Sequence, residues 1–138
     1  MIKALIFDIG GVVVFKNSQV ARKQKTNKAL IKFLEKISKR YGLYSVSNID
    51  EEFHKENKRK GIYKIFNKNY SSHLTGFEKP DKRAFLMVLK ENKLNSEETL
   101  LVDDNQDNID TAEKLGMKTI LFKDNILLFR KLKTIGIK

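Results

Sequence analysis

Apolar residues along this 138-residue chain fall in short runs separated by polar stretches with helical spacing. Lys3–Phe7 (KALIF) reads as a buried strand ending on Asp8; Gly10 and Gly11 punctuate it, and the apolar run resumes over Val12–Phe15 (VVVF). A basic stretch follows to Lys28. Thr26 then caps a helix with Leu30, Phe33, Leu34, Ile37 and Tyr41 on one face, ended by Gly42. Leu43–Val46 is a second strand closing on Ser47 and Asn48, and Asp50 starts a highly charged helix that stops at Gly61. A third strand lies near Asn69–Ser72, and Pro80-Asp81 introduces a helix with Phe85, Val88 and Leu89 inward. Thr99–Val102 is a fourth strand ending on Asp103-Asp104, followed by a helix with Ile109, Ala112 and Leu115 that Gly116 terminates. Lys118–Phe122 makes a fifth strand, and a last helix runs through Leu128, Leu132 and Ile135. Strands alternating with helices at this spacing predict one α/β domain over residues 1–138, a five-stranded parallel sheet with helices on both faces.

Composition changes this picture little. The length suits a single core, and the absence of cysteine removes disulfides, thiolate metal sites and cysteine nucleophiles. Net charge is +11, but 23 of the 28 basic residues are lysine, in a chain also rich in Asn and Ile. A compositional bias toward A+T-rich codons writes that mixture over any fold. Arginine, the usual reader of phosphates and base edges, occurs only 5 times, so the charge does not name nucleic acid as a partner. A nucleic-acid binder would need a basic groove with aromatics for stacking; Tyr41, Tyr44 and Tyr63 are available, and Tyr41 reads as core. No run reaches the roughly 20 apolar residues of a membrane span. Ile2–Phe15 resembles a signal peptide only until Asp8 interrupts it without a small-residue cleavage site, so no membrane and a cytoplasmic location are expected.

In parallel α/β sheets, ligands bind beyond the carboxyl ends of the strands. Asp8, Ser47-Asn48 and Asp103-Asp104 all stand there, and Lys79 lies just beyond the third strand. Each alone is an ordinary cap, turn or solvated residue. Their gathering on one sheet edge is what singles them out. Together, Phe7-Asp8-Ile9-Gly10-Gly11-Val12, Leu43-Tyr44-Ser45-Val46-Ser47-Asn48, Gly76-Phe77-Glu78-Lys79-Pro80-Asp81 and Leu100-Leu101-Val102-Asp103-Asp104 (continuing to Asn108, Ala112 and Gly116) resemble, in order, the four motifs of the haloacid dehalogenase-like hydrolases. The resemblance spans Ile2 to about Phe122.

It implies a Rossmann-like three-layer sandwich and a Mg2+-dependent phosphohydrolase acting on a phosphate monoester. Asp8 would be the nucleophile, forming an aspartyl-phosphate; Asp8, the Gly10 carbonyl and Asp104 would hold the metal, with Asp103 and Asn108 orienting that set from behind. Lys79 would meet a phosphoryl oxygen and keep Asp8 ionised, and Ser47 with the Asn48 amide would donate to the same oxygens. The residue types suit this chemistry, because an anionic ester resists a carboxylate until the site supplies positive charge. The metal-free dehalogenases of the superfamily generally lack the paired acids of the fourth motif, which this chain has, so phosphoryl transfer is the preferred expectation.

Two departures qualify that expectation. The phosphatases usually carry an acid/base Asp two residues after the nucleophile, and here that residue is Gly10; leaving-group protonation then falls to water or to a side chain such as Asn17 or His73, with activated aryl or acyl phosphates preferred over alkyl ones. Only 38 residues separate Asp8 from Ser47 and 31 separate Ser47 from Lys79, which leaves no room for an inserted cap. An open site, a bulky substrate, a neighbouring subunit serving as lid, and a minimal or decayed form are the alternatives that follow. A catalytically weak or inactive member binding a phosphorylated or anionic partner is the rival reading. Lys16–Arg40 holds nine basic residues against Glu35, while Glu97–Glu113 holds seven acids and no base. The basic block either steers a phosphorylated substrate or is a solvated face.

Overall fold

In the computed structural model, which describes all residues from Met1 to Lys138, five parallel strands form a single sheet in the order β3-β2-β1-β4-β5. They are β1 (Ala4–Phe7), β2 (Gly42–Ser47), β3 (Lys68–Ser71), β4 (Thr99–Asp103) and β5 (Lys118–Leu121). The helices are α1 (Lys28–Ile37), α2 (Glu51–Arg59), the single turn α3 (Ser72–Thr75), α4 (Lys82–Glu91), α5 (Gln106–Lys114) and α6 (Asn125–Thr134).

Strand β1 is apolar at every position, and β1 and β4 are buried along their whole length, because both faces of the sheet are covered. Successive side chains of β1 alternate between two cores. Leu5 and Phe7 join Leu43, Leu100 and Val102 against Leu30, Leu34 and Ile37 of α1 and Leu128 and Leu132 of α6. Ala4 and Ile6 join Tyr44, Val46 and Leu101 against Phe85 and Val88 of α4 and Ile109 and Ala112 of α5. The result is the three-layer α/β sandwich with a doubly wound, Rossmann-like sheet that the alternation of elements predicts. No helix is long and apolar enough to cross a membrane.

Local details differ from the sequence expectation. The cap of α1 is Asn27 rather than Thr26: its Oδ1 accepts the Leu30 N–H at 3.3 Å, while its Nδ2 donates to the Val12 carbonyl at 2.9 Å and to Asn125 at 2.8 Å. A short carboxamide that also ties down two distant segments outcompetes the neighbouring hydroxyl. Helix α1 ends at Ile37, before Tyr41, which is only partly buried. Val12–Val14 do not resume a strand. Their N–H groups all turn back onto the Ile9 carbonyl, forming a buried turn that continues the core beyond β1. Strand β3 begins and ends one residue earlier than expected, and α6 stops at Thr134, leaving Ile135 49% exposed.

The chain runs outward from β1 through β2 to β3, then crosses back to β4 on the other side of β1. That reversal opens a crevice at the carboxyl ends of β1 and β4, where ligands of such sheets bind. The register pairs Phe7 with Val102, and the Asp8 N–H donates to the Val102 carbonyl, so Asp8 and Asp103 leave the sheet side by side.

Candidate functional site

Lys79 is the centre of the crevice. Its ammonium donates to Asp8 Oδ1 at 2.9 Å and to Asp103 Oδ2 at 2.8 Å, and its side chain is only 2% exposed. Two carboxylates thus face one ammonium inside the protein, an arrangement with one negative charge in excess. Burial pushes the Asp8 carboxyl up to about 7; Lys79 opposes the shift and Asp103 adds to it. Burial pulls the Lys79 ammonium down, but Asp8 and Asp103 outweigh it and hold it above its ordinary value.

Supporting contacts fix this trio. Asp8 Oδ1 also accepts the Ile9 N–H at 2.9 Å. Asp103 accepts three hydrogen bonds: Oδ2 accepts from Asn108 Nδ2 at 3.1 Å besides Lys79, and Oδ1 accepts the Asn105 N–H. The Lys79 backbone is braced by Asn48, whose Oδ1 accepts the Lys79 N–H and whose Nδ2 donates to the Lys79 carbonyl, both at 2.8 Å. The Asn48 carboxamide thus positions Lys79, and its backbone N–H is the amide left to meet a phosphate oxygen. Asp103 likewise acts on Lys79 directly, and Asn108 acts on it through Asp103.

Asp8, Gly10, Asn48, Lys79, Asp104 and Asn108 line one cleft of about 420 Å3. Asp103 is fully buried behind it, and Ser47 is 2% exposed with an Oγ that has no hydrogen-bond partner. A buried, unpaired hydroxyl at the end of β2 is costly unless an acceptor arrives, which suits the role expected of it. Neither Asn17 nor His73 lines the cleft. His73 instead stacks beside His54, whose Nδ1 contacts the Tyr63 hydroxyl and Ser71 Oγ at 3.0 Å each. Of the nine basic residues between Lys16 and Arg40, only Lys16 reaches the cleft; the same loop contributes Ser18, Gln19 and Gln24. Lys60, at the end of α2, ties that loop down by donating to the Gln24 carbonyl at 2.6 Å.

The residues present fit a divalent cation. Carboxylate oxygens of Asp8, Asp103 and Asp104 lie within 4.8 Å of one another. Asp103 is buried behind the cleft, so Asp8 and Asp104, which line it, are the available carboxylates, and the Gly10 carbonyl, also in the lining, accepts no backbone hydrogen bond. Two carboxylates and a carbonyl, completed by water and a substrate oxygen, match the hard oxygen set of magnesium.

Sequence reasoning missed the part played by Gly11. Its φ of +90° lies in the left-handed region, and a Cβ there would overlap Asp104 Oδ2. Its only sequence signal is the Gly-Gly pair. Gly11→Ala is expected to displace the Asp104 carboxylate and weaken Mg2+ binding by about tenfold or more, as read by isothermal titration calorimetry. An unchanged affinity would show that Asp104 does not depend on this close approach.

The chain is a doubly wound α/β domain that gathers three aspartates and a buried lysine at the switch point of its sheet. Residues 13–122 match the model of the haloacid dehalogenase-like hydrolases, and the chain belongs to that family. The match begins past Asp8, so the place of Asp8 rests on the geometry above. Over 87 residues, 61% of this chain and 16% of the other, it is 36% identical to the drimenol cyclase drtB of Aspergillus calidoustus. Over 92 residues, 66% of this chain and 47% of the other, it is 28% identical to the sesquiterpene phosphatase astK of Aspergillus oryzae. The chain thus spans less than half the length of these curated relatives. Among solved structures it resembles a predicted HAD-like family hydrolase from Porphyromonas gingivalis (TM-score 0.80, 19% identity, 96% of this chain and 98% of that one). It also resembles a HAD family enzyme from Bacteroides thetaiotaomicron in complex with magnesium and inorganic phosphate (TM-score 0.83, 18% identity, 94% and 100%). These likenesses concern the fold. They agree with a core lacking any inserted cap.

Proposed function

We propose that this protein is a Mg2+-dependent phosphohydrolase that cleaves a phosphate monoester through an aspartyl-phosphate on Asp8. The observation that carries the reading is the buried Lys79 ammonium held between Asp8 and Asp103 at the mouth of the β1–β4 crevice. Lys79 and the Ile9 N–H fix the Asp8 carboxylate through Oδ1, so that one of its oxygens attacks phosphorus while the other would face the metal. The bond to the leaving oxygen breaks, and a water then hydrolyses the acyl phosphate and returns Asp8 to the carboxylate. Lys79 opposes the burial that raises the Asp8 carboxyl, favouring its ionised form, and offers its remaining donor capacity to a phosphoryl oxygen. The Ser47 hydroxyl and the Asn48 backbone N–H donate to the others. Asp8, Asp104 and the Gly10 carbonyl would hold Mg2+, which supplies charge neutralisation at the phosphoryl oxygens.

Beyond the phosphate position the cleft wall carries Ser18, Gln19, Gln24 and Asn57, with Ile49 and Phe53 as apolar members. Amides and hydroxyls at this density favour a polar leaving group. A sesquiterpene phosphatase among the relatives supports the phosphatase class, and the terpenoid substrate stays with that protein.

Hydrolysis of 4-nitrophenyl phosphate tests the reading. Turnover is expected with Mg2+ and is expected to fall at least about 100-fold in EDTA. Because Gly10 supplies no acid/base side chain, the rival is a family member that binds a phosphorylated or anionic ligand without turning it over. No hydrolysis of a broad panel of phosphate monoesters, with saturable binding of inorganic phosphate, would select that rival.

A further inference from the structure

The departing oxygen takes up negative charge as its bond to phosphorus breaks, and the cleft must meet that charge with something positive. Only two cations line the cleft, Lys16 and Lys79. Lys79 is buried and already bonded to Asp8 and Asp103. Lys16 is not held in this way. Its side chain is 63% exposed, and its ammonium stands 3.8 Å from Asp104 Oδ2, a separation for an ion pair rather than a hydrogen bond.

Lys16 also has a defined place. Its Cε lies 3.3 Å from where a Cβ on Gly10 would stand and 3.2 Å from the corresponding point on Gly11. The stem therefore lies over the glycine turn, in the space left by two absent side chains, and delivers the ammonium into the cleft near Asp104. An in-line attack by Asp8 sends the leaving oxygen away from the strand ends into the cleft that Lys16 lines. The acids lining the cleft are Asp8, Asp50 and Asp104, all unsuited to a developing anion.

We infer that Lys16 is a further catalytic residue, whose ammonium hydrogen-bonds the leaving-group oxygen of the phosphate ester as its bond to phosphorus breaks. This rests on the phosphohydrolase reading above. The electron pair of the P–O bond goes to that oxygen, which is stabilised by Lys16 and takes its proton from solvent water. The hydroxyl left from that water is consumed in hydrolysing the phosphate on Asp8, so one water is used overall and the charge balances. The assignment leaves protonation to water, as the sequence led one to expect, and adds a charge beside the leaving oxygen that neither Asn17 nor His73, both outside the cleft lining, is placed to supply.

The test is the dependence of kcat/KM on leaving-group pKa, over aryl phosphates of graded acidity and one alkyl phosphate. It compares wild type, Lys16→Met and Lys16→Arg, with Mg2+ affinity measured by calorimetry on each. Lys16→Met is expected to lose about 100-fold on the alkyl phosphate and only a few-fold on 4-nitrophenyl phosphate, so that the dependence steepens. Lys16→Arg is expected to recover most of the loss. An equal loss across all leaving groups, relieved at high salt, would assign Lys16 to steering and overturn the inference. A loss explained by weaker Mg2+ binding would overturn it equally. A wild type silent on every ester, alkyl and aryl alike, removes the phosphohydrolase reading itself, and Lys16 with it. That result is separate from an active wild type whose leaving-group dependence Lys16→Met does not change.

Discussion

Asp8→Asn is expected to abolish turnover, by at least about 10,000-fold, while making the metal-free protein more stable at pH 8. The two effects have one cause. The substitution keeps the shape and the acceptor that Lys79 and the Ile9 N–H use, but removes the nucleophile's charge. The wild-type carboxyl titrates near 7 when folded, against an ordinary value of 3.8. A folded-state pKa raised in this way favours folding below pH 3.8, and the advantage disappears as pH rises through 7. At pH 8 the wild type therefore bears the full cost of an excess buried carboxylate, and the asparagine variant does not. A shift of this size corresponds to at most about 4 kcal/mol, and a rise in Tm of several degrees is expected. The advantage should shrink toward pH 4, and Mg2+ should stabilise the wild type more than the variant. Thermal unfolding of both proteins at pH 4, 6 and 8 without metal measures it. A variant less stable than wild type at pH 8 would refute the excess-charge account, whatever happens to activity.

Lys79→Met is expected to do the reverse to stability while also removing activity. Methionine fills most of the volume but leaves Asp8 and Asp103, 7% and 0% exposed, as two carboxylates without a cation. Breaking a buried ion pair by deleting one partner typically costs about 3–5 kcal/mol. Against a domain stability of about 5–15 kcal/mol, that lowers Tm by about 10 °C or more. The loss should be greatest at alkaline pH and smaller in acid, where protonation relieves the two carboxylates. Adding Asp8→Asn to Lys79→Met removes one of them and should recover a substantial part of the stability. Chemical denaturation of the two single variants and the double variant forms a complete thermodynamic cycle. If Lys79→Met is as stable as wild type at pH 8, the ammonium is not what makes the buried carboxylates tolerable.

Helices α2, α4 and α5 show how much of the fold was legible locally. Asp50 and Asp81 cap α2 and α4 as their positions suggest, accepting the Phe53 and Arg83 N–H groups. The apolar spacing of Phe85, Val88, Ile109 and Ala112 marks the faces that reach the core. These signals lie within a turn or two of the chain, so a short window contains the competing forces. The cap of α1 was not legible, because Asn27 is also held by bonds to residues 15 and 98 positions away. The Val12–Val14 run failed as a strand for a related reason. An apolar triplet signals burial but not backbone shape, and the Gly10-Gly11 turn folds it onto Ile9 instead.

By itself the sequence determined the order of elements and placed Asp8, Ser47, Asn48, Lys79, Asp103 and Asp104 at one edge of a parallel sheet. Hydrophobic period and chain breakers are local properties, and strand ends in this topology share an edge. What each residue touches was decided only by the tertiary structure. Asn48 holds the backbone of Lys79, 31 positions away, and Lys79 reaches Asp8 across 71. Asp103 serves the lysine, Ser47 is sealed without a partner, and one lysine of the basic block, Lys16, lies over the glycine turn while the others stay outside the cleft. Such contacts depend on how layers pack and where loops return. Net charge and periodicity are sums along the chain and carry no record of them, so the difference between a basic surface and a cation aimed at the site became visible only in three dimensions.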